Sequence, residues 1–193
     1  MLAEALRAAG LGVLQTREPG GSPGAEALRG LLLSGETDWA PLAETMLHFA
    51  ARAEHVARAI RPALEAGNWV VCDRFSDSTL AYQGYGQGAD LEMTRSLARM
   101  IGLAPDLTIV LDVSDAIASA RLRVRGGDLD RYERRDAAFH ARVKAGFRAV
   151  AEAEPTRCAL ISADGTPAEV HAAVMQMVHR RLGLPAPMRR DPT

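Results

Sequence analysis

Apolar residues along this chain fall into short continuous runs, separated by longer stretches with helical spacing. Residues 70–72, 107–113 and 158–163 are nearly all apolar, which is typical of strands covered on both faces of a sheet. A weaker alternation over residues 11–15 predicts a further strand, which runs into a turn at Pro19. Because helical stretches separate these runs, the pattern predicts an α/β fold with a parallel, doubly wound sheet.

The stretches between the runs have an apolar residue at every third or fourth position, which predicts helices. The first ten residues indicate the end of a helix, with Gly10 as its stop. In the helix predicted over Pro23–Leu33, the residues expected to face inward are Leu28, Leu31 and Leu32. A longer helix over about residues 41–66 is expected to bury the apolar stripe Leu42, Met46, Phe49, Ala53, Val56 and Ile60. Further helices are predicted over residues 91–101, 116–124, 139–150 and 170–178.

Composition narrows the class of protein without pointing to a function. The 193 residues are enough for one domain, predicted over residues 1–183, with a flexible proline-containing tail over residues 184–193. The net charge of −1 gives no general attraction to nucleic acid or to a membrane surface. No run of about 18 apolar residues occurs, and the two distant cysteines are interpreted as free thiols. A cytoplasmic protein is therefore expected.

The largest group of candidate functional residues follows the apolar run at residues 70–72. Asp73 and Arg74 come directly after the predicted strand, where open α/β sheets bind their ligands. Thr79 and Gln83 are four residues apart and therefore share one face of a helical turn. Two interpretations stay open for the Asp73–Arg74 pair, an ordinary ion pair at a strand end or a site for an anion. The hydroxyl, phenol and amide groups that follow favour the site.

A second candidate lies on the long helix. His48 and Arg52 are four residues apart, so an aromatic ring and a cation share one edge beside the apolar stripe. Such a pair can hold a planar ligand between them. Phe49 is equally well explained as a core residue, so the spacing alone does not decide which ring has a function.

An arginine-rich segment with two adjacent glycines lies between residues 121 and 135. A run of charges is usually a solvated helix end, and that explanation stays open here. Gly126 and Gly127 in its middle instead favour a hinged lid that closes over phosphate. Acidic residues partly balance the charge, so a clamp for a small anion is favoured over a nucleic-acid patch. The arginines are Arg121, Arg123, Arg125, Arg131, Arg134 and Arg135.

Five motifs occur in an order that resembles bacterial thymidylate kinase. They are TREPGG at residues 16–21, LHFAARAEH at 47–55, DRFSDSTLAYQGYGQG at 73–88, PDLTIVLDV at 105–113 and RGGDLDRYE at 125–133. The resemblance covers the chain to about Arg181 and implies transfer of the γ-phosphoryl group of ATP to dTMP, giving dTDP for dTTP synthesis, with Mg²⁺ as cofactor. It also implies a three-layer P-loop nucleoside-monophosphate kinase fold with five parallel strands. The implied partner is a second copy of the chain, bound through residues 41–60 and 91–101.

The resemblance assigns phosphate and metal roles to matching positions. Arg74 and Arg29 are expected to bind the phosphate of dTMP, because planar guanidinium groups match phosphate oxygens. Asp73 is expected to hold the water shell of Mg²⁺. Three arginines of a lid over about residues 121–135 are expected to neutralise charge on the transferring phosphoryl group. They are Arg123, Arg125 and Arg131.

The resemblance also implies where the nucleoside lies. Arg52 and Gln83 are expected to read the polar edge of thymine, and Tyr82 to pack on the deoxyribose, where it excludes a 2′-hydroxyl. The family's aromatic residue that stacks on the base corresponds to His48, with Phe49 next to it, so either ring is a candidate. The remaining substrate-binding residues are expected to be Glu18, Ser78 and Thr79.

One motif of the family is absent from the sequence. The form G-x-x-x-x-G-K-[ST], whose backbone amides and lysine hold the phosphates of ATP, occurs nowhere in the 193 residues. Met1 matches a position inside the helix after this loop, so the loop and the first central strand of the sheet are expected to be missing from this chain. A gene model that starts too late is the simplest explanation. On this expectation the 193 residues alone show little or no kinase activity and poor solubility.

Two other functions stay open at this point. A non-catalytic protein that binds dTMP, or that dimerises with a full-length relative, needs no phosphate loop. A different phosphotransferase or a sulfotransferase of similar sheet architecture is the third hypothesis, and the TREPGG and DRFSDSTLAYQ strings count against it. An assay with ATP, Mg²⁺ and dTMP separates catalysis from binding alone.

Overall fold

Short parallel strands form the β structure of the chain. The computed structural model describes residues 1–125 and 131–184, without the side chains of Ser119, Leu122, Arg123 and Arg125. Strand β1 (Val13–Arg17) pairs with β2 (Trp69–Asp73), and β3 (Thr108–Asp112) pairs with β4 (Cys158–Ser162). Both pairs are parallel, which confirms the predicted parallel pairing.

The described strands form two two-stranded sheets rather than one continuous sheet. Within residues 1–125 and 131–184, β2 and β3 each have a pairing partner on one edge only. Side chains next to an open edge lose the cover that a neighbouring strand provides. Val70, Val71 and Cys72 are accordingly half-buried, and Leu111 and Leu160 are exposed. The prediction that these strands are fully buried is therefore wrong.

Helices flank the strands. Their bounds are α1 Leu2–Ala8, α2 Pro23–Leu33, α3 Pro41–His55, α4 Arg61–Glu65, α5 Ser76–Thr79, α6 Leu91–Ile101, α7 Asp115–Arg125, α8 Ala137–Ala153 and α9 Pro167–Leu182. A π-helical segment, Val56–Ile60, joins α3 to α4, and a second one, Leu80–Gly86, continues from α5. Such wide turns interrupt regular helices and are frequent near functional sites.

Local capping explains why α2 and α6 have the predicted bounds. Pro23 stands at the first position of α2, where its fixed φ suits a helix and its missing N–H is not needed. Asp90 accepts a hydrogen bond from the backbone N–H of Met93 at 2.6 Å and so begins α6. Gly102 ends that helix with a φ of 65°, a conformation that favours glycine.

The buried face of α3 is not the predicted one. Leu42 and Met46 of the predicted stripe are 49% and 53% exposed, and Ala53 is exposed as well. Leu31 of α2 is likewise exposed rather than inward. Only the Phe49, Val56 and Ile60 part of the stripe is buried. The buried face of α3 is largely polar, because these side chains find partners on distant segments. They are Glu44, Thr45, His48, Arg52 and His55.

Separate apolar clusters hold the elements that carry the site. One joins α1, β4 and α9 through Leu6, Ile161, Val174 and Val178. Another joins α8 to the π-helical segment Leu80–Gly86 through Ala81, Phe139 and Val143. A Cβ on Gly146 would lie 2.8 Å from the side chain of Tyr85, so α8 approaches this segment as closely as it does because residue 146 is glycine.

Two expectations from composition can be compared with the structure. The thiols of Cys72 and Cys158 are both free, as predicted. Burial raises the pKa of the Cys158 thiol to about 11, so the group stays neutral at physiological pH. Among the described helices, none combines the length and the apolar character that crossing a bilayer requires.

Candidate active site

A cavity of about 150 Å³ lies beside the carboxyl ends of β1 and β2. Residues from α2, α3, α5 and the segment around Tyr132 line it. Most of the predicted substrate-binding residues meet here, namely Glu18, Arg29, His48, Arg52, Arg74, Ser78, Thr79, Tyr82 and Gln83. The lining residues that the sequence did not single out are Pro19, Leu33, Phe75, Tyr132, Glu133 and His140.

The guanidinium of Arg52 is buried in the cavity wall. Its Nε donates to Oε2 of Glu18 at 2.7 Å, and its Nη2 donates to Oγ1 of Thr79 at 3.1 Å. The rings of Phe49 and Phe75 also contact it, with centroids 4.6 and 5.1 Å from the guanidinium carbon. Within the described part of the chain, Nη1 has no hydrogen-bond partner. This donor is therefore available to a ligand, since buried donors are nearly always paired.

A buried chain of hydrogen bonds holds Glu18 against Arg52. Oε1 of Glu18 lies 3.0 Å from Nδ1 of His55, and Nε2 of His55 lies 2.8 Å from Oγ1 of Thr16. Both oxygens of Glu18 are thus bonded within the protein, so the carboxylate positions Arg52. A direct contact of Glu18 with substrate stays a prediction. His55 was missed, although it lies three residues after Arg52 and so on the same face of α3.

This cluster contains one group of potential metal ligands, Glu18, His55 and Cys72, whose donor atoms lie within 4.8 Å of one another. The Glu18 carboxylate already binds Arg52 and His55, and His55 also contacts Thr16. Burial raises the pKa of the Cys72 thiol far above its usual range, which disfavours the thiolate that binds metals. The group therefore fits a hydrogen-bonded support for Arg52 better than a metal site.

Arg74 and Arg29 bring further positive charge to the cavity. The backbone of Arg74 has a φ of 73°, a left-handed conformation that is uncommon outside glycine. Its carbonyl accepts a hydrogen bond from Sγ of Cys72 at 3.0 Å, and its guanidinium carbon lies 5.0 Å from the centroid of the Tyr82 ring. Nη1 of Arg29 donates to the carbonyl of Pro19 at 2.6 Å. Together with the arginine of α3, these side chains suit the cavity to an anion.

His48, rather than Phe49, is the ring that lines the cavity. Its Nε2 lies 2.9 Å from Oη of Tyr132. Burial and, secondly, the charge of Arg52 lower the pKa of His48 to about 4, so the imidazole is neutral at physiological pH. Phe49 is buried and contacts Arg52 instead. Stacking of the His48 ring on a base stays a prediction.

A second buried carboxylate, that of Glu44 on α3, collects hydrogen bonds from distant segments. Its Oε1 accepts from Nε2 of Gln83 at 2.9 Å and from Nε2 of Gln87 at 2.7 Å. The same oxygen accepts from Oη of Tyr132 at 2.8 Å, while Oε2 lies 2.8 Å from Nη2 of Arg131. Arg131 thus binds Glu44 and does not line the cavity. Its expected role at the transferring phosphoryl group stays a prediction.

The residues expected to hold Mg²⁺ and to form the lid lie at the margin of this site. Asp73 is exposed at the end of β2, next to Arg74. A lone carboxylate suits Mg²⁺, which keeps most of its water ligands, so Asp73 fits the expected contact through water. The side chains of Arg123 and Arg125, and residues 126–130 of the expected lid, lie outside the described residues.

Comparison with known proteins extends over most of the chain. A family model described as "Thymidylate kinase" matches residues 1–174. The thymidylate kinase of Gluconobacter oxydans is 53% identical over 186 residues, which cover 94% of this chain and 87% of that protein. That of Rhizorhabdus wittichii is 52% identical and covers 91% of this chain and 86% of that protein. A thymidylate kinase of Synechococcus is 50% identical over the whole chain and 91% of that protein.

A solved structure shows the same architecture. The crystal structure of thymidylate kinase from Ehrlichia chaffeensis superposes with a TM-score of 0.71 at 34% identity, covering 86% of this chain and 80% of that one. This likeness supports an α/β fold of the P-loop nucleoside-monophosphate kinase type, as the sequence motifs imply. The extent of the family match and the identity to several relatives agree with it. The chain therefore belongs to the thymidylate kinase family.

Proposed function

We propose that this protein transfers the γ-phosphoryl group of ATP to dTMP, giving dTDP for dTTP synthesis in the cytoplasm. One observation carries the proposal, which is the buried Arg52, whose Nη1 has no partner among the residues that the structure describes, in a cavity that Arg29 and Arg74 also line. A fixed, desolvated donor suits a carbonyl oxygen of a base, and two more guanidinium groups suit a phosphate monoester. The reaction itself is proposed from membership of the thymidylate kinase family.

The proposed roles divide the acceptor between two ends of the cavity. Arg74 and Arg29 bind the phosphate, and Tyr82 packs on the deoxyribose. Arg52 donates Nη1 to the base, while Thr79, already bonded to Nη2, keeps the guanidinium in its plane. The other proposed contacts of the nucleoside are those of Glu18, His48, Ser78 and Gln83, while Phe49 supports the guanidinium of Arg52 from outside the cavity lining.

Mg²⁺ and ATP complete the proposed reaction. When bound, Mg²⁺ neutralises charge on phosphate oxygens, and Asp73 is proposed to hold its water ligands. Arg123, Arg125 and Arg131 are proposed to neutralise the transferring group. Because the sequence contains no G-x-x-x-x-G-K-[ST] motif, no residue is assigned to the phosphates of ATP. For the same reason, dTMP binding without catalysis is the second candidate function.

Two measurements on the 193-residue chain test these functions. Calorimetry with dTMP measures acceptor binding, and chromatography after incubation with ATP, Mg²⁺ and dTMP measures dTDP. Formation of dTDP supports the kinase and contradicts the prediction that these residues alone show little activity. Binding without dTDP supports the second candidate, and the absence of both binding and turnover contradicts each of them for this chain.

Arg74→Met is expected to weaken dTMP binding about 10- to 100-fold, because a charge-assisted hydrogen bond to phosphate is lost. Thymidine, which has no phosphate, is expected to bind as it does to the unmodified chain. Calorimetry with both ligands measures the difference. Arg17→Met is the matched control, since Arg17 ends β1 with an exposed side chain paired with Glu26. An equal loss of thymidine binding in Arg74→Met would contradict the phosphate role.

A homodimer is proposed as the assembly, with the exposed apolar side chains of α3 against those of a second copy. Leu42 and Met46 are one turn apart on α3, and Met100 is 80% exposed on α6, which contacts α3. Met46→Lys is expected to shift the chain from dimer to monomer, because it introduces a charge into the apolar contact. Analytical ultracentrifugation measures this, with Leu64→Lys on α4 as the control. An unchanged sedimentation coefficient in Met46→Lys argues against this face.

A further inference from the structure

The carboxylate of Glu44 lies one residue layer away from the cavity and has no exposed surface. It contacts two glutamines, Gln83 and Gln87, together with Tyr132 and Arg131. Of these partners, Gln83 and Tyr132 line the cavity. Glu44 therefore touches the candidate base-reading side chain without touching the ligand space itself.

A carboxylate can accept hydrogen bonds but cannot donate them. Of the two polar atoms of the Gln83 amide, the one that lies 2.9 Å from Oε1 of Glu44 must therefore be the nitrogen, Nε2. The same nitrogen also lies 3.2 Å from Oη of Tyr132. Gln87 faces Glu44 with its nitrogen as well, at 2.7 Å. The acceptor character of Glu44 thus decides which way both amides are turned.

We propose that Glu44 is a positioning residue that fixes the amide of Gln83, so that its carbonyl oxygen faces the base. This inference rests on the proposed function. An acceptor at that point matches N3–H of thymine, which is a donor. N3 of cytosine is an acceptor, and two acceptors cannot share a hydrogen bond. Glu44 then selects thymine over cytosine without contacting either base.

Selection between the bases needs a residue that fixes the Gln83 amide, because the C=O and NH₂ groups of a glutamine amide have nearly the same shape. A half-turn of the amide would present NH₂ to the cavity and would favour cytosine. With Glu44 in place, the half-turn brings the carbonyl oxygen of Gln83 against a buried carboxylate. Glu44 would keep its bonds from Gln87 and Tyr132, but the carbonyl oxygen of Gln83 would find no donor in Glu44 and would lie against a buried negative charge, which strongly disfavours that orientation.

Glu44→Gln removes this constraint with little change of shape, because an amide can both donate and accept. The probes are dTMP and dCMP, measured by calorimetry. We expect dTMP binding to weaken about tenfold while dCMP binding is unchanged or tighter, so that the dTMP preference falls about tenfold or more. Arg52 is proposed to contact the base in the unmodified chain and in Glu44→Gln alike. A change in the ratio of dTMP to dCMP affinity therefore reports the orientation of the Gln83 amide.

Glu54→Gln is the matched control, since Glu54 lies on the same helix and pairs with Arg58 near the surface. It is expected to keep the unmodified preference. A thermal melt of each variant checks folding. A folded Glu44→Gln protein with an unchanged ratio overturns the inference while leaving the proposed function intact. An unmodified chain that binds no dTMP overturns the proposed function itself.

A further probe needs no variant and so does not depend on the folding of Glu44→Gln. In 3-methyl-dTMP a methyl group replaces the hydrogen at N3 and leaves the other polar atoms in place. We expect the unmodified chain to bind it at least about tenfold more weakly than dTMP. Equal binding of the two nucleotides overturns the inference, because no acceptor would then be reading N3–H.

Discussion

Arg52→Leu is expected to abolish measurable dTMP binding and to destabilise the fold by about 3–5 kcal/mol. The substitution removes the proposed donor for the base and leaves Glu18 buried, with His55 and without its cationic partner. Calorimetry measures the binding, and urea denaturation measures the free energy of unfolding. Arg58→Leu is the control, because Arg58 is 71% exposed and pairs with Glu54 at the surface. It is expected to change stability by about 0.5 kcal/mol or less.

A double variant separates the two effects of Arg52. Glu18→Gln combined with Arg52→Leu removes the buried charge as well as its partner, so part of the lost stability is expected to return. Binding of dTMP is expected to stay absent, since no donor is restored. Recovery of binding together with stability would show that Arg52 acts only through the fold.

The free energy of unfolding is expected to fall by on the order of 3 kcal/mol between about pH 6.5 and pH 4 through His48 alone. Burial and the charge of Arg52 lower the pKa of His48 to about 4 in the folded protein. In this window the unfolded chain binds a proton at His48 and the folded chain does not. Stability due to the neutral imidazole is therefore present at higher pH and is lost as the pH falls.

His48→Phe tests this dependence, because phenylalanine keeps a ring at the position and cannot be protonated. Urea denaturation of both proteins from pH 7.5 to pH 4 gives the difference in the free energy of unfolding at each pH. Values at pH 7.5, where the imidazole is neutral in both states, set the baseline. Parallel curves for the two proteins would contradict the lowered pKa of His48.

Much of the fold follows from short-range signals in the sequence. Pro23 at the start of α2, and Asp90 and Gly102 at the ends of α6, set helix bounds through local geometry, so the sequence predicted them. Burial of the strands depends instead on how many neighbours each strand has. Val70 and Val71 have the composition of central strand residues, yet β2 pairs on one described edge only. Apolar runs therefore predict where strands form but not how far neighbouring elements bury them.

The candidate site divides in the same way. Arg52, Arg74 and Gln83 belong to motifs that resemble a known family, so their roles could be proposed from the sequence. Glu44 and His55 lie outside the apolar stripe predicted for this helix, and neither was predicted to be a site residue. Their burial depends on partners far along the chain, and Tyr132 lies 88 positions from Glu44. A spacing rule for one helix cannot contain that information, which is why the burial of Glu44 and His55 was not predicted.

The left-handed backbone conformation of Arg74 costs stability at a position where an arginine is proposed to favour binding. A residue with a side chain carries a steric penalty on the order of 1 kcal/mol in this conformation, and glycine carries none. Substitution by glycine at this position would therefore favour folding, whereas the proposed phosphate role of Arg74 requires a cation there. In return, the turn aims the guanidinium before any ligand arrives, so binding does not have to order the backbone. On the proposed role, an arginine at position 74 in relatives would reflect selection for binding the ligand rather than for folding.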